Sequence, residues 1–147
     1  MDYDALRETL LSGPYRVIDF LPRQVPADSE GQYFALERYF SGKKRLRKLY
    51  RRFGQLVLKL NCYYDLAVGG PGKWREDLPP EKLYDRFTRC AEGGYVHVLL
   101  PGEKTLITLD AGDLYMTVYH PSENLSDILD TLCRGEGLWL RQLPEEK

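Results

Sequence analysis

The chain has 147 residues, of which 43% are hydrophobic and 29% charged, and its formal net charge at pH 7 is −1. This composition is typical of one folded domain and excludes an intrinsically disordered chain. No apolar run approaches the ~20 residues that span a bilayer, and the N-terminal segment MDYDALRETLL is acidic where a secretory signal is basic. The sequence therefore predicts a single domain over residues 1–147 of a cytoplasmic protein with no membrane association.

The first part of the chain alternates between helical and extended patterns. Apolar residues at helical spacing predict a helix over residues 3–11. The β-branched and aromatic run YRVIDFL predicts a strand over residues 15–21. After the loop segment PRQVPADSEG, apolar spacing indicates a second helix from about Ser29 to Phe40, and further along, the run YYDLAV indicates a strand over residues 63–68.

The clearest helix in the sequence lies between these two segments. Its apolar residues recur at i, +3, +4, +7, +10, +11 and +14, which is the period of one helix face. These residues are Leu46, Leu49, Tyr50, Phe53, Leu56, Val57 and Leu60. The pattern predicts an amphipathic helix over residues 42–60 with one face in the core.

The second half of the chain predicts a helix, a three-stranded meander and a further helix. Residues 69–80 form a turn-rich connection, after which Pro80 opens a helix that the glycine pair Gly93 and Gly94 closes. From Tyr95 the apolar period changes to two, and the runs YVHVLL, TLITLD and LYMTVYH predict strands joined by the turns PGEK and AGD.

A last helix and a final extended run complete the predicted fold. Ser122 or Asn124 caps the helix, Gly135 ends it, and LWLRQL is a further strand. The predicted fold class is α+β, a mainly antiparallel sheet made of the C-terminal three-stranded meander plus additional strands. Four to five helices are expected to pack on one face of this sheet.

Positive charge is concentrated in one short segment of the chain. The run GKKRLRKLYRRF, residues 42–53, contains seven basic residues and no acidic one, and the rest of the chain carries 14 basic against 22 acidic residues, a formal charge of −8. Because the apolar stripe occupies one side of the helix, the charges are expected on the other. The candidate residues for binding a partner or a phosphate are Lys44, Arg45, Arg47, Lys48, Arg51 and Arg52.

Three interpretations of this basic helix remain open from the sequence. Its arginines can pair with the protein's own carboxylates from the helices at 81–92 or 123–134, which makes it a solvated face. It can dock on an acidic partner protein. It can also bind the phosphates of a nucleic acid, with a steep dependence on salt. The acidic remainder of the chain argues against the third interpretation, and no RNP, KH, zinc-finger or basic-zipper pattern is present.

The predicted meander has a second, unusually aromatic face. Strand alternation directs four contact candidates away from the core, Tyr95, His97, Tyr115 and Tyr119. Such a face can stack on bases or a ligand ring, or bury against a second copy of the chain in a homodimer. Alternatively, the first helix or the loop carrying Trp74 covers it.

Catalytic, metal and cofactor patterns are weak or missing from the sequence. The cysteines are odd in number and form no CxxC pair, so neither a disulfide framework nor a zinc site is expected, and Cys90 and Cys133 fall at apolar helix positions. The segment VGGPGKW lacks the Ser or Thr that must follow Lys73 in a phosphate-binding loop. No cofactor is predicted, and an enzyme would have to centre on His97.

These observations favour a non-catalytic binding or accessory protein that acts on an acidic protein partner through the basic helix, residues 42–60. The alternative is a nucleic-acid-binding protein that uses the same helix on phosphates and the sheet tyrosines for stacking. An enzyme centred on His97 is the weaker alternative.

Overall fold

The computed structural model describes residues 2–23, 25, 26, 28 and 30–141. Within these residues the chain forms five α-helices and six β-strands. The helices are α1 (Tyr3–Leu11), α2 (Glu30–Phe40), α3 (Lys43–Leu60), α4 (Pro80–Arg89) and α5 (Glu123–Gly135). The strands are β1 (Tyr15–Asp19), β2 (Ala67–Gly69), β3 (Tyr95–Leu100), β4 (Thr105–Asp110), β5 (Tyr115–Tyr119) and β6 (Trp139–Arg141).

The strands form one six-stranded sheet in the order β2-β3-β4-β5-β1-β6, and every neighbouring pair is antiparallel. The predicted meander is its centre, where Val98 pairs with Ile107 and Ile107 pairs with Val118. These three side chains lie in the main core, as the alternation of apolar and polar residues predicts. The predicted α+β class is confirmed.

Helices α3, α4 and α5 pack on the core face of the sheet and supply most of the buried apolar side chains. Helix α1 lies on the opposite face, where Leu10 forms a small buried cluster with Ala67, Leu99 and Leu106. The sheet therefore has a thick helical layer on one side and a single short helix on the other.

Two strands differ in extent from their predicted boundaries. Strand β1 ends at Asp19, whose side chain turns back to accept a hydrogen bond from the Phe20 backbone N–H at 2.7 Å. Strand β2 begins only at Ala67, because residues 61–64 are held in turns at the end of α3. In those turns the Asn61 side chain donates to the Tyr64 carbonyl at 2.9 Å.

The last two helices and the final strand follow their sequence signals closely. Ser122 caps α5 by accepting a hydrogen bond from the Leu125 backbone N–H at 3.1 Å. Helix α4 continues in a short 3-10 turn over Cys90–Glu92 that ends at Gly93. The run LWLRQL contributes β6, which pairs with β1. Gln142 and Leu143 of that run, and the predicted helix start at Ser29, lie outside the described residues.

Candidate functional site

The basic helix α3 is fixed against the sheet by its apolar face. All seven apolar residues that define the predicted stripe are buried. Among them, Tyr50 fixes the helix by its hydroxyl, which donates to the Asp113 carbonyl at 2.7 Å and accepts from the Gly112 backbone N–H at 3.1 Å. Burial raises the pKa of Tyr50. These contacts set the rotation of α3 and so decide which residues face outward.

The outward face of α3 carries a row of four exposed cations that we call the α3 basic strip, formed by Lys44, Lys48, Arg51 and Arg52. Their spacing of i, +4, +7 and +8 places them on one helix face. No carboxylate of the described residues lies within 4.0 Å of their charged groups. The strip is therefore a continuous exposed cationic surface across these residues.

The other two predicted binding residues of α3 have partners within the protein. Arg47 forms an ion pair with Glu92, which lies in the 3-10 turn after α4. The Arg45 guanidinium lies over the Tyr39 ring, 4.0 Å from its centroid. At the far end of the helix, Lys59 pairs with Glu136 at 2.6 Å. The six candidates thus divide into a free strip and two flanking arginines that contact neighbouring elements.

The charge distribution of α3 opposes the stability of the helix itself. Three cations, Lys43, Lys44 and Arg45, occupy its first turn, which contains no acidic residue, and Gly42 offers no side chain as a cap. Cations at a helix N-terminus are unfavourable by about 0.3–1 kcal/mol each, because they meet the positive end of the helix dipole. Lys44 and Lys48 add a like-charge pair at i and i+4. Stability of the helix does not account for this pattern.

Exposed aromatic side chains lie on α2, and one of them contacts Arg45, which flanks the strip. Tyr39 is 54% exposed and lies under Arg45, and Phe34 is 50% exposed. The Tyr39 ring contacts the Phe40 ring, with 5.5 Å between their centroids. The Phe40 ring in turn contacts the Phe20 ring, with 5.2 Å between their centroids. This stack connects an exposed aromatic ring to the core. Beside Arg45, the basic surface of α3 therefore has an aromatic edge that is connected to the core.

The second face of the sheet is partly filled by α1 and by the loop that follows β2. Leu10 of α1 covers Leu99 and Leu106, and Trp74 packs against the same cluster. The Trp74 indole N–H donates to an Asp4 carboxylate oxygen at 2.7 Å, which ties the loop to α1. One row of side chains on this face is thus removed from solvent.

His97 lies in the next row and is enclosed by α1. It is 7% exposed, and its Nδ1 accepts a hydrogen bond from Arg7 Nε at 3.0 Å. Burial and the nearby Arg7 charge lower the pKa of His97 to about 4. A neutral imidazole that accepts at Nδ1 carries its proton on Nε2. This is the environment of a structural sheet histidine, and the cavities beside Leu66, Trp74 and Arg86 do not include it.

The sheet tyrosines remain partly open but lie apart from the basic helix. Tyr95 is 50% exposed and packs beside His97, with 4.6 Å between the ring centroids. The Tyr95 ring also leaves no room for a side chain at Gly70, where a β-carbon would lie 2.4 Å from the Tyr95 hydroxyl. Tyr115 is 41% exposed, and burial raises the pKa of Tyr119. These side chains are on the sheet face opposite to α3. The structure does not bring the two predicted contact surfaces together.

A second cationic cluster was missed by the sequence analysis. Arg75, in the loop after β2, lies beside Lys82, Arg86 and Arg89 of α4 around a cavity of about 240 Å³. We call these four residues the α4 cleft. The i, +4, +7 spacing of the three α4 cations was the available signal, but Asp85 between them and Glu81 before them conceal it in a charge count. The position of Arg75 beside these three cations is seen only in the folded structure.

The cysteines are all free. Cys90 and Cys133 are buried in the main core, which confirms their predicted place among the apolar helix positions, and Cys62 is exposed. Burial raises the pKa of Cys90 to about 11 and that of Cys133 to about 12. Both thiols are protonated at neutral pH. Across the described part of the chain, no three His, Cys, Asp or Glu side chains are arranged to hold a metal ion.

Comparison of the chain with protein-family models, with curated proteins and with solved structures finds no match. In the described ranges, no helix is long and apolar enough to cross a membrane.

Proposed function

We propose that this protein is a non-catalytic binding protein that docks on an acidic surface of another protein through the α3 basic strip. The observation that carries the proposal is the row of Lys44, Lys48, Arg51 and Arg52, exposed and without an ion pair to the described carboxylates. A local arrangement that costs stability is expected where function requires it. The uncapped and wholly basic start of α3 is such an arrangement.

An acidic protein suits this surface better than a nucleic acid does. Outside residues 42–53 the chain has a formal charge of −8, which disfavours a long polyanion that extends past the strip more than a partner whose acidic surface is confined to the strip. Arginine and aromatic residues are enriched in protein interfaces, and here Arg45 and Tyr39 stack at the edge of the strip. The tyrosines that would stack on bases lie on the other side of the sheet. The strip and its aromatic edge together favour a partner that offers carboxylates and apolar side chains.

The proposal is tested with labelled ligands of matched length. We would measure fluorescence anisotropy with a 20-residue peptide in which Asp and Glu alternate with Leu and Trp, at about 50 and 200 mM salt. Controls are the same peptide with every acid replaced by its amide, and mixed-sequence DNA and RNA of 20 nucleotides. The protein is compared with a strip variant, Lys44→Gln, Lys48→Gln and Arg51→Gln, and with a control variant, Arg23→Gln, Lys73→Gln and Lys104→Gln, which loses the same charge elsewhere.

We expect the acidic peptide to bind and the amide peptide not to bind. An exposed ion pair contributes up to about 1 kcal/mol, so losing three should weaken binding by about tenfold or more in the strip variant. The control variant should stay within about twofold, since screened distant charges contribute little. Equal losses in both variants would contradict the proposal. Tighter, salt-sensitive binding of the oligonucleotides would replace it with the nucleic-acid alternative.

A further inference from the structure

A further concentration of positive charge among the described residues lies at the α4 cleft, and none of its lining residues belongs to α3. Its residues come from two well-anchored elements. Arg75 is pinned to the sheet edge, because its backbone N–H and C=O both pair with Val68, at 2.9 and 2.8 Å. Helix α4 is pinned by Leu83 and Phe87, which are buried in the core. The cationic side chains therefore extend from fixed backbone positions.

The cleft has an excess of positive charge. Four cations and a single carboxylate, that of Asp85, line it. The ion pairs of its arginines are long, 3.7 Å from Arg89 to Asp85 and 3.9 Å from Arg75 to Asp77. At these distances most of the guanidinium N–H donors are left available. Such exposed pairs contribute little to stability.

Arg86 distinguishes the cleft from an ordinary charged surface. Its side chain is half-buried beside Leu78, and no described residue offers it a hydrogen-bond acceptor or a carboxylate within ion-pair distance. Its guanidinium nitrogens remain accessible to solvent, since no buried side-chain nitrogen of the described residues lacks a partner. An oxyanion placed between Arg86, Arg75 and Arg89 would accept hydrogen bonds from donors that no described protein group uses.

The size and lining of the cavity restrict the class of ligand. A volume of about 240 Å³ is below the range of drug-sized pockets, about 300–1,000 Å³. The lining contains no aromatic ring on which a base could stack. Guanidinium groups match the oxygens of a phosphate in bidentate geometry, and Lys82 adds a point charge. These properties suit a compact, multiply charged phosphate.

We propose that the α4 cleft binds the phosphoryl oxyanion of a small molecule, such as a diphosphate or a small phosphate ester. The site shares no residue with the proposed docking surface on α3, so it adds a ligand class to the protein rather than a detail to its partner. Arg86 is the central ligand-binding residue, and Arg75, Lys82 and Arg89 surround it.

The probe for this site is sodium pyrophosphate, titrated by calorimetry into the full-length protein. The cleft variant carries Lys82→Gln, Arg86→Gln and Arg89→Gln, and the control is again Arg23→Gln, Lys73→Gln and Lys104→Gln. Because several charge-assisted hydrogen bonds are removed, we expect affinity to fall by at least about tenfold in the cleft variant and to stay within about twofold in the control. Unfolding in urea checks that both variants are folded.

Two further measurements distinguish specific phosphate binding from general charge attraction, and a small phosphate from a phosphorylated peptide. Arg86→Lys keeps the charge but loses the bidentate donors, and it should weaken pyrophosphate binding by about fivefold. A peptide with one phosphoserine should bind more weakly than pyrophosphate. The proposal is overturned if pyrophosphate gives no saturable binding, if cleft and control variants lose affinity equally, or if only the phosphopeptide binds.

Discussion

The outer face of α3 and the second face of the sheet both have residue patterns that predict contacts, yet folding treats them differently. On the sheet face, Leu10 and Trp74 cover one row of side chains, and Arg7 donates a hydrogen bond to His97. On α3 the flanking arginines find partners, but the strip itself remains exposed. An unusual face is therefore a weak indication of a binding site until its coverage within the protein is known. A cluster of cations that destabilises the helix carrying it, as in the first turn of α3, is a stronger indication of a binding site.

The largest effect on stability is expected from truncating the side chain of α1 that covers the second face of the sheet. Leu10 is 4% exposed and packs on Leu99 and Leu106. Leu10→Ala should lower the free energy of unfolding by about 2–4 kcal/mol, because it removes buried methyl groups and leaves a cavity. Urea unfolding measures this, with the exposed neighbour substitution Thr9→Ala as the control. Equal stability of the two variants would mean that α1 does not cover the sheet.

The second prediction concerns acid and follows from the neutral His97. The unfolded chain protonates this histidine near its ordinary pKa of 6.5, whereas the folded protein does so only near a pKa of about 4, because of burial and Arg7. The unfolded state therefore binds more protons between these values, and stability falls as the pH falls. Between about pH 7 and pH 4, we expect the free energy of unfolding to fall by about 2 kcal/mol more in the wild type than in His97→Asn.

This pH dependence is checked by urea unfolding at several pH values, together with an NMR titration of the His97 ring. Arg7→Met should move the His97 pKa upward, since the positive charge that helps lower it is removed. An Asp110 charge acts in the opposite direction in both proteins. Parallel stability curves for wild type and His97→Asn would show that the imidazole is not buried as described.

A smaller effect is expected at the aromatic edge of the α3 basic strip. Tyr39 is exposed but held by Phe40 and Arg45, which gives it the rigidity of an interface anchor. Tyr39→Ala should weaken binding of the acidic peptide by about 1 kcal/mol, roughly fivefold, by anisotropy. Tyr63→Ala removes another exposed tyrosine and should leave the affinity unchanged. Equal effects of the two substitutions would remove the aromatic edge from the proposed site.

The smallest effect is expected from releasing a flanking arginine. Glu92→Gln removes the ion pair with Arg47 and should change the free energy of unfolding by less than about 0.5 kcal/mol, because the pair is exposed. Arg47 then becomes available beside the strip, and affinity for the acidic peptide should rise by about twofold. Glu81→Gln, which changes the net charge equally, serves as the control. A decrease in affinity would show that the pair orders the binding surface.

The sequence was sufficient to predict α3 because apolar spacing and charge both repeat with the helical period. Strand alternation likewise placed Val98, Ile107 and Val118 on the core face of the sheet. These features depend on residues close together in the chain. The partner of Arg47 does not, since Glu92 is 45 positions away. Tyr39 is close to Arg45 in the chain, but it belongs to another helix, and the sequence does not set the angle between the two helices.

The sheet face and the α4 cleft needed the folded structure for the same reason. Alternation indicated that His97 and Tyr95 share a face, but the covering helix is about 90 residues earlier in the chain and carries no signal for its docking place. In the cleft, Arg75 joins Lys82 only because its loop is bridged to β2. Contacts between separate elements, whether near or far in the chain, decide which charges and rings stay exposed.

The most direct test of the account is a map of backbone amide NMR shifts of the ¹⁵N-labelled protein during titration with the acidic peptide. We predict that the shifts concentrate on α3 from Lys44 to Arg52 and on Tyr39 of α2, with the amides of Tyr95 and Tyr115 unmoved. Shifts that concentrate on Tyr95 and Tyr115, or no saturable shifts at all, would contradict the claim that the outer face of α3 is the binding surface.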